Sequence, residues 1–291
     1  MQHNNMPLYN GGAIRLQGCC DSGSALNFEM LARLTHTELL HDDVNDAHVV
    51  VMAPGTPLPD NAILSYGSKS LQTVYDSELR QFCLYLKDGY PHQNPYYGVY
   101  AWQVSIVCAC TAALLRGQPV LMMHCAMLER DGKAVLLCGE SGIGKSTSSR
   151  RWCADGGSAI ADDMVLLEFT EDSGILVHRL PTWSACRVSL EGKSYPFNPP
   201  LRLEHILALG RSEDGQEEHI RRIKPSEYFA QIYHCLFFHY QEVLRRLPVE
   251  YSFYGAQRLR EWMDKLMSIY PPEALFASLT GNIRLTLKDY L

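Results

Sequence analysis

The centre of the chain alternates between short runs that are almost wholly apolar and segments with the spacing of helices. Ala134 to Cys138 has the length and branching of a buried parallel strand, and residues 147–154 can continue as a helix. Further apolar runs at residues 122–128 and 158–169 have the character of buried strands. This pattern predicts an α/β core in which a strand, a loop and a helix follow one another.

Residues 1–97 differ from this centre because their apolar runs are shorter and prolines break them into pieces. One amphipathic helix is predicted at Asn27 to Leu40. The predicted strands of this region are Ala13 to Gln17, Ala47 to Met52, Ala62 to Tyr66, Leu71 to Tyr75 and Gln81 to Leu86. We therefore predict an α+β chain overall, with a smaller α+β accessory domain over residues 1–97 and a larger domain with C-terminal helices over residues 98–291.

Helical spacing returns near the C-terminus in two groups of apolar residues. The first group is Phe229, Ile232, Tyr233, Leu236, Phe237 and Tyr240. The second group is Leu259, Trp262, Met263, Leu266 and Met267. We interpret both as helix faces that cover a core.

The apolar stretch from residue 98 to residue 115 could be mistaken for a membrane span. It contains Gln103, Ser105 and Thr111, and it barely reaches the minimum of about 18 residues. A helix that is apolar on most faces is more typical of burial inside a large core. No stable membrane insertion is expected, although peripheral association stays open.

Charge and cysteine content narrow the class of protein. The 26 basic residues stand against 32 acidic ones, for a net charge of −6, and no basic stripe is present, so nucleic acid is not an expected partner. The ten cysteines include no C-x-x-C pair, and no secretory signal is recognised. Reduced thiols packed as small apolar groups, and a cytoplasmic location, are therefore expected.

A phosphate-binding loop is the firmest functional signal. The motif G-x-x-x-x-G-K-[ST] is matched by Gly139-Glu140-Ser141-Gly142-Ile143-Gly144-Lys145-Ser146. Its glycines let successive N–H groups point inward, while the lysine reaches phosphates and the serine hydroxyl ligates Mg²⁺. The predicted contacts to Mg²⁺-bound ATP are Gly139, Ser141, Gly142, Ile143, Gly144, Lys145, Ser146 and Thr147. The alternative is an ordinary glycine-rich turn with an exposed lysine.

Adjacent carboxylates interrupt the apolar run from residue 158 to residue 169. Burying an ionised carboxylate costs several kcal/mol unless a cation or donors compensate it, so Asp162 and Asp163 suggest a metal site. Alternation along a strand would send the two side chains to opposite faces, one towards Mg²⁺ and the other towards a substrate hydroxyl. A loop in which one aspartate turns the chain is the alternative.

His124 lies inside the apolar run of residues 122–128, before a turn at residues 129–132. A single histidine on an apolar strand is more often a hydrogen-bonded core residue. Beside a phosphate-binding loop it can instead hold a carboxylate in place or tune its proton affinity, as transfer to a hydroxyl requires.

Taken in order, His124, the glycine-rich loop and Ile-Ala-Asp-Asp at residues 160–163 resemble the core of the HPr kinase/phosphorylase family. The branch associated with peptide-modification clusters, which includes SynChlorMet cassette proteins and lasso-peptide kinases, is the most similar. The resemblance implies a P-loop core in which Lys145 and Ser146 hold phosphates and Mg²⁺. It further implies that Asp162 helps at the metal, that Asp163 accepts the hydroxyl proton and that His124 supports Asp163.

The resemblance also implies a homo-oligomer, since HPr kinases form hexamers. One departure is visible, because the family's Glu-Arg-Gly-Leu-Gly signature after the carboxylates is not found, and residues 176–188 occupy roughly that place. This departure disfavours HPr itself as the substrate.

We therefore predict an ATP-dependent kinase that phosphorylates a Ser or Thr hydroxyl in a peptide or protein. A small-molecule hydroxyl kinase and a non-catalytic, nucleotide-responsive regulatory module are the alternatives. Transition-state charge often requires an additional cation. The candidates, none of them favoured over the others, are Arg179, Arg187, Arg221 and Arg222.

Overall fold

A computed structural model describes residues 3–7, 15–19, 47–53, 55–59, 64–67, 71–87, 95–180, 182, 199–210, 219–222, 224–270 and 275–278. Within these ranges the chain forms two mixed sheets and four helices, which confirms the predicted α/β class. The same ranges contain no helix with both the length and the apolar character that crossing a membrane requires.

The chain divides into two compact units, each built from separate stretches of sequence. Unit 1 comprises Met1–Val120, Leu180–Phe197 and His239–Leu259. Unit 2 comprises Leu121–Arg179, Asn198–Phe238 and Arg260–Leu291. The boundary between residues 97 and 98 stays a prediction.

Unit 1 contains a six-stranded sheet with the order β1-β2-β3-β6-β5-β4. Its strands are β1 His3–Pro7, β2 Arg15–Cys19, β3 Val49–Val51, β4 Leu64–Gly67, β5 Leu71–Asp76 and β6 Gln81–Leu86. The three pairs β1–β2, β4–β5 and β5–β6 are antiparallel, whereas β3 runs parallel to both β2 and β6. The five strands predicted for this region all have a counterpart here, shifted by at most a few residues.

Helix α1, Pro95–Leu115, supplies much of the core of unit 1. Its residues are mostly apolar, and nearly every residue from Ala101 to Leu115 is buried. Two buried hydroxyls are satisfied within the helix, since Ser105 donates to the carbonyl of Ala101 at 2.9 Å and Thr111 to that of Val107 at 2.8 Å. The predicted burial of this helix is therefore confirmed.

Unit 2 contains an eight-stranded sheet with the order β11-β10-β7-β8-β12-β14-β13, in which β9 also pairs with β7. The strands are β7 Val120–Arg130, β8 Lys133–Cys138, β9 Ser158–Ala161, β10 Met164–Phe169, β11 Ile175–Arg179, β12 Leu201–Gly210, β13 His219–Arg222 and β14 Leu275–Ser278. Strand β8 is antiparallel to β7 and parallel to β12. Because β11 also pairs with β12, the strands β11, β10, β7, β8 and β12 form a closed circuit.

A two-residue turn connects β7 and β8. Asp131 and Gly132 have positive φ angles of 50° and 76°, which suits the tight Asp-Gly hairpin turn that matches the twist of paired strands. Arg130 pairs with Lys133 across this turn, and the register continues to the pair Cys125 and Cys138.

Three helices complete the described part of the chain: α2 Lys145–Ala154, α3 Pro225–Leu244 and α4 Val249–Ile269. Helix α2 packs on one face of the unit 2 sheet through Trp152. The buried cluster beneath it is formed by Ala126, Leu128, Val135, Leu137, Leu207 and Leu209.

Some predicted elements differ in extent. The single interrupted strand predicted at residues 158–169 is two strands, β9 and β10, that both neighbour β7. Helix α4 begins at Val249, well before the predicted apolar face. The face predicted on α3 is narrower than expected, since Tyr233 is 39% exposed. The helix predicted at Asn27 to Leu40 lies outside the described residues.

Candidate functional site

The glycine-rich loop leaves the end of β8 and leads directly into α2, so the predicted order of strand, loop and helix is confirmed. Gly139, Gly142 and Gly144 have φ angles of 150°, 76° and 118°. These positive angles lie in the region that glycine adopts without a steric penalty. The loop therefore has the backbone curvature that the motif requires.

Gly139 lies where the loop approaches neighbouring backbone most closely. A Cβ atom at this position would lie 2.9 Å from Cγ2 of Ile143 and 3.1 Å from the carbonyl oxygen of Leu209. Its N–H group donates to Sγ of Cys235 on α3 at 3.3 Å. The first glycine of the loop is thus held between β12 and α3, with no room for a larger residue.

Lys145 is buried at the base of the loop, with 6% of its surface exposed. Its Nζ donates to the carbonyl oxygens of Gly139 at 2.8 Å and Glu140 at 3.1 Å. Ser146 and Thr147, in the first turn of α2, are exposed. The ammonium group is therefore held inside the loop, while the two hydroxyls face solvent.

The N-terminus of α2 has the properties of an anion site. Its N-cap residue is Gly144, which makes no side-chain capping hydrogen bond. The first N–H groups of a helix have no intrahelical acceptors, and together with the helix dipole they favour a phosphate. The uncapped ten-residue helix, the glycine loop and the buried lysine together fit a nucleoside polyphosphate.

Strand register brings His124 and the two aspartates to the same edge of the sheet as the loop. Cys125 pairs with Cys138, the last residue of β8, and His124 is the residue before Cys125, so it lies at the end of the sheet where the loop begins. On the other side of β7, Ala161 pairs with Met127, so the chain after β9 continues towards His124.

His124 and Asp163 contact each other at this edge. Nδ1 of His124 lies 3.4 Å from Oδ1 of Asp163, and their side chains are 15% and 21% exposed. Both groups are therefore partly shielded from water while remaining accessible, which suits a carboxylate that must exchange a proton with a bound substrate.

The aspartate pair itself lies in a bend rather than inside a strand. Strand β9 ends at Ala161 and β10 begins at Met164, and both Asp162 and Asp163 are half-buried in the two-residue bend between them. The expectation that strand alternation sends the two carboxylates to opposite faces is therefore wrong. The roles assigned to the two residues stay predictions.

The candidate metal ligands are one hydroxyl, from Ser146, and one carboxylate, from Asp162. Across the ranges that the structure describes, no group of three or more His, Cys, Asp or Glu side chains is placed to hold a metal ion. Mg²⁺ keeps several waters and takes one or two protein carboxylates together with substrate phosphates. The small donor set is consistent with Mg²⁺ that arrives with a nucleotide, and the assignment of Ser146 and Asp162 stays a prediction.

Three buried thiols lie directly beneath the loop: Cys125, Cys138 and Cys235. Burial raises the pKa of the Cys138 thiol, and a hydrogen bond with Cys138 together with burial raises the pKa of Cys235. Both thiols therefore stay protonated and pack as small apolar groups, as the sequence predicted. The contact between Cys235 and Gly139 was not predicted, because the two residues are far apart in sequence and no motif links them.

Phe238 is a second residue that sequence reasoning missed. Its ring centroid lies 5.8 Å from that of His124, and a further 5.8 Å separates the rings of Phe238 and His234. Phe238 is 48% exposed, whereas Ile232 and Leu236 on the same helix are buried. It is not one of the residues of the predicted apolar face, although it lies between two of them, so nothing in the sequence indicated a contact with His124.

The four candidate arginines differ in how much of their surroundings the structure describes. Arg179 ends β11 and is half-buried. Arg221 and Arg222 lie on β13, whose side chains are not described, and Arg187 lies outside the described residues. All four stay candidates.

Comparison with known proteins identifies a family over the centre of the chain. Residues 99–239 match the model of the family described as SynChlorMet cassette protein ScmC. No curated protein matches the sequence. Among solved structures, the Hpr(Ser) kinase/phosphatase from Coxiella burnetii is similar, with 20% sequence identity over 35% of this chain and 77% of that chain and a TM-score of 0.26.

The matched region contains every residue of the site described above, from His124 through the loop and the aspartates to Phe238. The resemblance inferred from three ordered motifs is thereby confirmed. Over its central region, the chain is similar to the SynChlorMet cassette protein ScmC.

Proposed function

We propose that the protein is an ATP-dependent kinase that transfers the γ-phosphoryl group to a Ser or Thr hydroxyl of a peptide or protein. The observation that carries this proposal is the contact between His124 and Asp163, at 3.4 Å, on the sheet edge where the glycine loop begins. A protein that only binds a nucleotide has no need of a partly buried carboxylate with a histidine partner. A kinase needs such a group to accept the hydroxyl proton.

The chemistry assigned to the chain's own residues is proton transfer and positioning. Asp163 accepts the proton of the acceptor hydroxyl as that oxygen forms its new bond to phosphorus and the bond to the leaving ADP oxygen breaks. His124 holds the carboxylate through Nδ1 and keeps one of its oxygens directed towards the acceptor. Phosphoryl transfer needs little covalent assistance, so positioning and electrostatic stabilisation account for most of the rate.

The phosphate chain would be held by the loop N–H groups, the α2 N-terminus and Lys145, whose ammonium already lies within the loop. Ser146 and Asp162 would hold Mg²⁺. When bound, Mg²⁺-ATP supplies the phosphoryl group, and the metal neutralises charge on its oxygens.

The test incubates the full-length protein with Mg²⁺-ATP and serine- or threonine-containing peptides encoded near its gene, and reads product masses. We expect one peptide to gain a phosphoryl group. Asp163→Asn should lower this rate by about two to four orders of magnitude, because it removes the base, while ATP affinity measured by calorimetry stays nearly unchanged.

Two results would contradict the proposal. One is equal turnover by Asp163→Asn and the wild type, which would show that Asp163 is not the base. The other is steady ADP release by the wild-type protein with every peptide recovered unmodified, which indicates an ATPase or a nucleotide-responsive module.

A further inference from the structure

One turn of α3 contacts both halves of the candidate site. Sγ of Cys235 accepts the N–H group of Gly139 at 3.3 Å, and Phe238, three residues later, lies against the ring of His124. The position of Phe238 is therefore fixed relative to the glycine loop and to the proposed base at once. A residue held in this way can position a substrate.

The exposure of Phe238 is unusual for its place in the structure. Nearly half of its surface is open, although it adjoins a partly buried pair of ionisable residues. His234, one turn earlier and also exposed, has its ring 5.8 Å from that of Phe238. We refer to these two rings, His234 and Phe238, as the α3 ledge.

Scattered exposed apolar side chains are normal on a protein surface. The α3 ledge differs because a chain of contacts joins it to the proposed base, from Phe238 to His124 at 5.8 Å and from His124 to Asp163 at 3.4 Å. An acceptor hydroxyl must come within hydrogen-bond reach of Asp163. A peptide rises about 3.3 Å per residue when extended, so a side chain one or two residues from that hydroxyl can reach the ledge.

We propose, on the basis of the kinase function above, that the α3 ledge binds an apolar or aromatic side chain of the acceptor peptide within two residues of the phosphorylated Ser or Thr. The acceptor is then a peptide segment with such a side chain close to its hydroxyl. Covering the ring with an apolar group removes its surface from water and stabilises the complex. Phe238 is a specificity-determining residue in this arrangement.

Tyr233 offers a matched control on the same helix. It is 39% exposed, and its ring stacks on Phe237 at 4.9 Å instead of lying beside His124. Five residues along an α-helix correspond to about 140° around its axis, so Tyr233 and Phe238 point in clearly different directions.

The experiment uses serine peptides that differ only in having phenylalanine or alanine at each of the two positions on either side of the serine. Wild-type protein, Phe238→Ala and Tyr233→Ala are compared by kcat/KM, with circular dichroism to verify folding. We expect a preference for phenylalanine of roughly tenfold or more at one position in the wild type and in Tyr233→Ala. The preference should disappear in Phe238→Ala, with the KM for ATP unchanged.

Several outcomes would overturn the α3 ledge while leaving the kinase function intact. They are an absence of preference at every position in the wild type, and a preference that persists in Phe238→Ala. A rise in the KM for ATP alone would also overturn it, because the ring would then contact the nucleotide base.

If the wild-type protein phosphorylates no peptide, the proposed kinase function fails, and binding of the same labelled peptides is measured by fluorescence anisotropy. Tighter binding of a phenylalanine peptide that is lost in Phe238→Ala still supports the ledge. Equal binding of all peptides overturns it.

Discussion

A buried histidine in the unit 2 sheet makes stability depend on pH. Nε2 of His178 on β11 lies 2.8 Å from Oε2 of Glu168 on β10. Burial lowers the pKa of His178, and the hydrogen bond and charge of Glu168 only partly oppose this effect. The imidazole is therefore more easily protonated in the unfolded chain than in the folded one.

The sign of the pH effect follows from proton binding. As the pH falls below about 6.5, the unfolded chain takes up a proton at His178 before the folded protein does, so the free energy of unfolding decreases. The loss continues until the pH reaches the lower folded-state pKa. One such group contributes at most about 1.4 kcal/mol per pH unit.

We expect His178→Gln, which keeps a side-chain donor to Glu168 and cannot be protonated, to flatten this dependence between pH 7 and pH 5. The measurement is urea denaturation at several pH values. If the free energy of unfolding changed with pH in the same way in both proteins, His178 would contribute nothing to the acid sensitivity.

The sequence reveals some residues of the candidate site and not others. Lys145, His124 and Asp163 are recognisable because the chemistry restricts the residue types and their order, and the structure brings His124 and Asp163 into contact. Cys235 and Phe238 carry no such restriction. Their contacts with Gly139 and His124 come from a helix about a hundred residues further along the chain, and only the packing of α3 reveals them.

Two glycines close the C-terminal end of helix α2. Gly156 has a φ of 88°, and the N–H groups of Gly156 and Gly157 donate to the carbonyls of Cys153 and Trp152. This is the Schellman arrangement that often closes a helix. A Cβ atom at Gly157 would lie 2.1 Å from Nε1 of Trp152, an indole that donates to the carbonyl of Glu129 at 3.2 Å.

We expect Gly157→Ala to destabilise the protein by about 1–3 kcal/mol, because the indole must move out of a filled position. Gly156→Ala is the matched control, since a Cβ atom there has nothing within 4 Å and only the positive φ is penalised, at about 1 kcal/mol. Urea denaturation measures both. A smaller loss for Gly157→Ala than for its neighbour would contradict the proposed clash.

The boundaries of helices and strands were predicted well where the local sequence pattern determines them. They were predicted poorly where the pairing of strands determines them. Strands β6 and β8 match their predicted runs within a residue because each is a compact apolar segment. The break between β9 and β10 follows from their separate positions beside β7, which no local pattern reveals. The start of helix α4 was missed because its first turns do not bury a continuous apolar face: Val249 is 79% exposed and Phe253 is 72% exposed.

On the scale of the whole molecule, each compact unit is assembled from three separate stretches of chain. Periodicity and proline content describe neighbouring residues and predict contiguous domains, so they could not reveal stretches of residues 180–259 that belong with the N-terminal region. The predicted cytoplasmic location and homo-oligomeric state stay predictions, and light scattering tests the second.

Nucleotide binding should raise the stability of the whole protein, because a ligand that binds only the folded state shifts the unfolding equilibrium. At a free concentration of a hundred times its Kd, Mg²⁺-bound non-hydrolysable ATP analogue should add about 2.7 kcal/mol. We expect a clear increase in Tm for the wild type and little or none for Lys145→Met, which removes the ammonium held in the loop.

Lys133→Met is the matched control for this measurement. Lys133 begins the same strand, β8, but its side chain is half-exposed and pairs with Glu204 at 2.6 Å. This variant should keep the full nucleotide-dependent shift. An equal nucleotide-dependent increase in Tm for Lys145→Met and the wild type would show that Lys145 does not hold the phosphates.

The Asp131–Gly132 turn sets the alignment of β7 with β8, and with it the position of His124 relative to the first glycine of the loop. Because side chains alternate along a strand, one residue inserted at this turn would exchange the faces on which His124 and Cys125 lie. The sheet could still form, yet the side chain of His124 would then lie on the other face relative to β8 and the loop that follows it. The alignment of His124 with the loop therefore depends on the length of a two-residue connection at the other end of the hairpin.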